Sequence, residues 1–206
     1  IEEHISEEGT IKYLVEIESG SMVEMVVIPE KTRRTLCVSS QAGCALQCTF
    51  CATGAQGFDQ DLKSSEIIGQ LWLANFHAKD SKPITNIVFM GMGEPLLNFD
   101  AVIESAKIMK DQLAYGLSRK RVTISTSGIV PNIDRLSKEI DISLAISLHA
   151  SENKLRDQIV PINKKYPIES LLESCKKYLE NYQNKRSITI EYILIDEIND
   201  SLDHAQ

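Results

Sequence analysis

Apolar and polar positions alternate along IKYLVEI (11–17) and MVEMVVI (22–28), and the two runs flank Glu18-Ser-Gly-Ser21. Period two on both sides of a glycine-containing turn predicts a β-hairpin. Beyond it, strand-like and helix-like stretches take turns: TLCVSS, SSEIIGQLWLANFHAK (64–79), ITNIVFM, FDAVIESAKIMKDQLA (99–114), RVTIST, a short helix near 131–138, and ISLAISL. A further helix over about 168–182, with Pro167 at its first turn, leads to SITIEYILI. The result is five strands of a repeated β/α unit. This alternation predicts an α/β fold with a parallel sheet and right-handed crossovers, either curled toward a barrel or open and doubly wound. In both architectures ligands bind at the C-terminal ends of the strands, so the residues just after each strand carry the functional information.

Composition narrows the setting. The 206 residues are 43% hydrophobic and 25% charged, an ordinary globular profile, and no run approaches the roughly 18 apolar residues of a membrane helix. The start, IEEHISEEG, has neither the basic nor the apolar part of a signal peptide. Five cysteines in such a chain make no disulfide framework, so a reducing, cytoplasmic setting is expected. The formal charge is −7, which does not by itself call for nucleic acid. Basic clusters at Lys31–Arg34, Arg119–Arg121 and Lys164–Lys165 fall in loops or at element ends, where phosphate contact is open to them. The chain opens without Met and stops at SLDHAQ soon after a strand-like run, which reads as a piece of a longer protein.

Chemistry concentrates after the strand TLCVSS, in QAGCALQCTFC. Cys44, Cys48 and Cys51 form a Cys-x3-Cys-x2-Cys array in one short loop. Three thiolates suit three irons of a 4Fe-4S cubane and leave the fourth iron open to an outside ligand, whereas electron-transfer clusters take four cysteines. The competing readings are a zinc site with Cys37 or a histidine as fourth ligand, and three buried unliganded thiols.

The other strand ends are polar or glycine-rich. Gly91-Met-Gly93-Glu94-Pro95-Leu96 fails as a dinucleotide fingerprint, because Leu96 replaces the third glycine and Glu94 would repel a pyrophosphate. A carboxylate beside glycine-exposed carbonyls suits a cationic group instead, the plainer reading being a tight turn with a solvated Glu. Ser125 ends RVTIST, and Ser147, Leu148 and His149 end ISLAISL; the plain readings are helix caps and a structural histidine. Glu24 interrupts MVEMVVI, where an acid also fits a solvent-facing strand position. Cys37 reads as core, a fourth ligand or a redox partner, and Cys175, in an amphipathic helix pattern, as packing.

The cysteine array, with Phe50 just before its third member, resembles the radical S-adenosylmethionine (SAM) superfamily. Together CVSSQAGCALQCTFCATGAQGF, VFMGMGEPLLN, RVTISTSG, LAISLHA and IVPINKKY resemble the RlmN family of 23S rRNA and tRNA adenine-C2 methyltransferases. The resemblance implies a partial (β/α)6 barrel over 31–206, about five units of which are present, truncated at its C-terminus and preceded by an N-terminal hairpin extension over 1–30. It implies a 4Fe-4S cluster on Cys44, Cys48 and Cys51 and SAM against Gly93, Glu94, Ser125, Ser147, Leu148 and His149, with His149 a binding residue rather than a base.

The implied reaction starts with reduction of SAM to methionine and a 5′-deoxyadenosyl radical. That radical takes hydrogen from a methyl group carried on a cysteine near the family's C-terminus, and the methylene radical adds to adenine C2. Glu24, thirteen positions before Cys37, removes the C2 proton, and Cys37 then attacks the methyl-bearing sulfur, releasing the base and leaving a disulfide. No residue after 166 matches the methyl-carrying cysteine, so it is expected beyond Gln206. Implied partners are 23S rRNA, tRNA and an electron donor such as flavodoxin or ferredoxin; a monomer off the membrane is expected. The alternatives are the sister enzyme that methylates adenine C8 and a non-catalytic, zinc- or cluster-stabilised RNA-binding module.

Overall fold

A computed structural model describes residues 1–77, 82–182 and 187–205. Three antiparallel strands come first: β1 (Glu2–Ile5), β2 (Ile11–Glu16) and β3 (Met22–Pro29). The hairpin β2–β3 is the one its alternation predicts. Tyr13, Val15, Val23, Met25 and Val27 are buried on one face, while Leu14, Glu24 and Val26 lie on the other, half-buried. β1 departs from the sequence pattern, since EEHI has no buried face and pairs only as an edge.

The repeat then runs through β4 (Arg34–Cys37), a two-stranded ribbon of β5 (Gln41–Gly43) and β6 (Phe58–Asp61) enclosing α1 (Ala52–Gln56), and α2 (Ser64–Phe76). It continues with β7 (Asn86–Phe89), α3 (Phe99–Lys110), β8 (Val122–Thr126), α4 (Val130–Glu139), β9 (Ser143–Ser147), α5 (Asn153–Ile159), α6 (Ile168–Asn181) and β10 (Thr189–Glu191). The pattern predicts α2 as far as Lys79; Ala78 and Lys79 lie outside the described residues.

One eight-stranded sheet takes the order β1-β2-β3-β4-β7-β8-β9-β10. The last five strands are parallel, the five units expected, and β3 joins them antiparallel through Val26 opposite Cys37. Leu36, Ile87, Phe89, Val122, Ile124, Leu144 and Ile146 are buried almost completely, as a parallel sheet covered by helices requires. α2 and α3 pack side by side, as do α4 and α6, and the Tyr178 hydroxyl of α6 donates to Ile142 O at 2.8 Å. Cys175 is buried on the inner face of α6, the packing role its pattern gave it.

The β5–β6 ribbon brackets the cysteine loop and so sets where its thiols sit. Gly43 takes φ +74°, and a Cβ there would lie 1.9 Å from Gly57 O, the same oxygen that accepts the Cys44 N–H at 2.8 Å. Asn98 holds the ribbon to α3 by donating from Nδ2 to Ser40 O and Leu62 O. Gly43→Ala therefore combines left-handed strain with a backbone collision, and a loss of about 3 kcal/mol or more is expected. Urea denaturation measures it; a change below ~0.5 kcal/mol would mean that the ribbon does not depend on this contact.

Candidate active site

The sequence dictates a tight loop before it dictates a ligand. Cys51 N donates to Cys48 O at 3.0 Å, closing a turn, and the Cys51 thiol caps α1 by accepting from Gly54 N at 3.4 Å. Cys44 is buried, and Cys48 and Cys51 are half-buried; all five cysteines are free. Burial pushes the Cys44 thiol up and takes Cys48 to about 11, with the neighbouring cysteines and Glu94 adding to the rise. Cys44, Cys48 and Cys51 thus stand within electrostatic reach of one another. Among the described residues no three His, Cys, Asp or Glu side chains converge on a single ion. Three clustered thiols fit the three protein-held irons of a 4Fe-4S cluster.

Beside the loop, the ends of β7, β8, β9 and β10 enclose a cavity of about 130 Å³ lined by Gly93, Glu94, Ser125, Ser147 and Glu191. Gly93 takes φ +95°, and a Cβ on it would strike Gln41. Glu94 is buried rather than solvated: Oε1 accepts from Leu96 N at 3.1 Å and Oε2 from Ser127 N at 2.8 Å. Burial raises its pKa, and these hydrogen bonds oppose the rise. The Thr126 and Ser127 side chains hydrogen-bond the same carboxylate, so a cationic ligand has to share or displace one of these donors.

The serines are not helix caps. Ser125 Oγ donates to Glu191 Oε2 at 2.7 Å and Ser147 Oγ to the same oxygen at 3.0 Å, while α4 and α5 start without side-chain caps. Leu148 N donates to Glu191 O, tying β9 to β10. His149 is buried at φ 60°; its Nδ1 accepts from Ile193 N at 3.1 Å, which fixes a neutral ring with the proton on Nε2. Burial lowers its pKa, consistent with that neutral ring. Phe50 meets the His149 ring edge-on at 4.7 Å, packing the cysteine loop against this rim.

Glu24 and Cys37 come in from the hairpin side. Ser39 Oγ donates to Glu24 O at 2.5 Å and accepts from Met92 N at 2.8 Å, and Glu24 N donates to Met92 Sδ, so the loop after β7 anchors β3. The Glu24 carboxylate, 44% exposed, pairs with Lys12 at 2.9 Å. Cys37 ends β4 between β3 and β7. Burial pushes its thiol up to about 11; a hydrogen bond with the Met90 backbone works against this, and the Glu191 charge adds to it.

Residues 38–205 match the radical SAM superfamily. The chain belongs to it. Within the superfamily it is 57% identical over its whole length to the dual-specificity RNA methyltransferase RlmN of Pseudomonas putida strain W619, and 56% identical to that of Pseudomonas fluorescens strain SBW25. The chain spans 55% of the length of each of these relatives. A radical SAM methyltransferase from Sphaerobacter thermophilus superposes over the whole chain with a TM-score of 0.95 at 40% identity, and the chain covers 60% of it. Streptococcus suis SuiB shares the fold at a TM-score of 0.54 and 15% identity, over 84% of this chain and 37% of that one.

Three residues at this rim, Glu191, Ser127 and Arg156, are not among those the sequence reading names. Glu191 carries the same signal as Glu24, an acid inside an apolar strand, and at a strand's C-terminal end besides. Ser127 and Arg156 carry none: a serine in a turn and an arginine in NKLRDQI both read as solvated.

The thiol of Cys37 gives a direct check on this geometry. In ligand-free protein at pH 8, iodoacetamide should modify it about a hundredfold more slowly than free cysteine, because only the thiolate reacts, and the rate should climb about tenfold per pH unit toward 10. Peptide mass spectrometry reads the rate; modification as fast as free cysteine would place the thiol in the open.

Proposed function

We propose that this chain forms most of the catalytic barrel of an enzyme that methylates C2 of an adenosine in 23S rRNA and tRNA. The observation that carries the reading is the junction of three interacting thiols with a rim of Glu94, Ser125, Ser147, Glu191 and a neutral His149. The 57% identity to RlmN enzymes over the whole chain supports C2 as the position and RNA as the substrate. No helix among the described residues is long and apolar enough to cross a membrane. Cytoplasmic location, a monomeric state and a flavodoxin- or ferredoxin-type electron donor belong to the same proposal.

Cys44, Cys48 and Cys51 would hold a 4Fe-4S cluster, which with SAM on its open iron supplies one-electron cleavage of a sulfonium and hence a carbon radical. The residues present account for the remaining requirements. Gly93, with no side chain between its carbonyl and the cavity, and Glu94, fixed by two backbone amides, would receive the SAM ammonium. Ser125, Ser147 and Glu191 would meet ribose hydroxyls, and Leu148 and His149 would border the adenine. Glu24 stands at the hairpin edge beside Lys12, where it would accept the C2 proton. Cys37 would resolve the covalent protein–RNA adduct as a thiolate. Because burial holds its thiol protonated, losing that proton to a neighbouring group has to accompany its attack.

Cys44, Cys48 or Cys51→Ala should abolish the iron and labile sulfide of anaerobically reconstituted protein. Stoichiometric zinc without sulfide would overturn the reading, and mass spectrometry of the modified nucleoside from the full-length enzyme separates 2-methyl- from 8-methyladenosine. Glu94→Gln should weaken SAM binding at least tenfold in equilibrium dialysis with iron unchanged. Whichever way the amide is turned, its NH2 faces the N–H of Leu96 or of Ser127, so about 1–3 kcal/mol of stability should go as well. Unaltered SAM affinity would remove Glu94 from the site. Cys37→Ala in the full-length enzyme should keep its iron and accumulate RNA-linked protein on a denaturing gel; normal turnover with no adduct would end the resolving role.

A further inference from the structure

Arg156 is the largest fully buried side chain among the described residues. Its Nε donates to Leu148 O at 2.9 Å, Nη1 to Asn163 Oδ1 at 2.9 Å, and Nη2 to Ser127 O at 2.7 Å and Ser147 O at 3.1 Å. All four acceptors are neutral. Among the described residues no carboxylate forms an ion pair with it. A buried cation without an anion is costly, and breaking up such a charge by removing its partner typically costs several kcal/mol, so its presence calls for a compensating negative charge nearby.

The cysteine loop would supply that charge once its thiols are held as thiolates by a cluster. Thr49 N donates to Ile159 O at 3.1 Å, joining that loop to the end of the helix that carries Arg156. Cys48 and Phe50 pack on Ala150, Ile159 and Val160 around it. The Ser127 side chain hydrogen-bonds the Cys48 thiol, and the carbonyl of the same residue accepts from Arg156. Arg156 and Cys48 lie within electrostatic reach of each other. Burial brings the guanidinium down only to about 10, so it is a full cation at neutral pH. The other charged or titratable groups acting here are Asp157, whose Oδ1 accepts from Asn163 Nδ2 at 2.6 Å, His149, held neutral, and Glu94, whose charge reaches Cys44 and Cys48 and is unchanged in the variants compared below.

We propose that Arg156 is a positioning residue in the electrostatic sense: a fixed cation behind Cys48 that favours the reduced state of an iron–sulfur cluster on Cys44, Cys48 and Cys51. The inference rests on the proposed assignment of a cluster to those cysteines. A cluster carrying three thiolates becomes one unit more negative when it accepts an electron from an outside donor, while Arg156 keeps its proton in both states. A positive charge in a low-dielectric interior therefore stabilises the reduced form more than the oxidised one. The same side chain spans the carbonyls of the β8 and β9 ends, so it also keeps the rim in register with the loop.

The test is an EPR-monitored redox titration of the full-length enzyme, reconstituted anaerobically and free of SAM. Wild-type protein that takes up no iron and sulfide defeats the cluster assignment itself, whereas the behaviour of the variants bears on Arg156 alone. Arg156→Met should reduce the equilibrium constant for one-electron reduction about tenfold, equivalent to ~59 mV. Arg156→Lys, which keeps the charge but loses the fork, should stay within about twofold. A methionine variant with full iron and the wild-type potential, or equal falls in both variants, would overturn the proposal. Should the methionine variant fail to hold iron, Asp157→Asn decides: losing a nearby negative charge should raise the constant at least twofold, and no change overturns the proposal.

Discussion

Three thiols that repel one another once ionised have to be held side by side, and much of the irregular structure near the rim serves that end. A helix would set positions 44, 48 and 51 along one face, yet none forms over this segment. The chain instead leaves β4, runs a short ribbon strand, and returns by another, with the eight-residue Cys44–Cys51 segment and the small helix α1 suspended between them. Gly43 permits that crossing only because it has no Cβ, and Gly57 O then takes the Cys44 amide. The loop's far side leans on α5 through Thr49 and on His149 through Phe50. A segment fixed at three separate places resists the repulsion that its own thiolates would exert.

The parallel sheet supplies the complementary half. Because β7, β8, β9 and β10 run the same way in closely matched register, Glu94, Ser125, Ser147 and Glu191 reach one rim without any of them being close in sequence. Glu191 shows how the rim is organised internally. Placed opposite Ser147 in the register, it gathers both serine hydroxyls on one carboxylate oxygen, so three strands are coupled by side chains at the point where their ladders stop. The antiparallel hairpin extends the same sheet on its other edge, and Ser39 with Met92 anchors Glu24 to the loops of the rim.

How far the sequence revealed this depends on what kind of order each part uses. Alternation and helical spacing report burial of apolar faces, so the hairpin, the five parallel strands and the helices α2, α3, α4 and α6 were legible, with ends off by a few residues, whereas α1 and α5 are too short to show such spacing. The ribbon was not, because QAG is too short to show alternation and FDQD is largely exposed, and their placement depends on Gly43, Gly57 and Asn98. Cysteine spacing revealed the loop because thiols are rare and their clustering is informative. Glu191 was legible in principle, as Glu24 was, since an acid in an apolar strand stands out. Arg156 was not. Local pattern assigns an arginine in a short helix to solvent, and only the fold shows that carbonyls from two strand ends surround it.

Arg156 and Glu94 belong to one electrostatic arrangement of opposite signs. Each is a buried charge-bearing group satisfied by neutral partners, the carboxylate by the Leu96 and Ser127 amides and the Thr126 and Ser127 side chains, the guanidinium by three carbonyls and the Asn163 side chain, and Ser127 contributes to both, its N–H to Glu94 and its C=O to Arg156. A single peptide segment after β8 therefore holds a negative charge facing the cavity and a positive charge behind the cysteine loop. Separated in this way, the two do not cancel each other. The carboxylate remains free to attract a cationic ligand, and the guanidinium remains free to offset the thiolates, which requires that neither be given an ion-pair partner of its own.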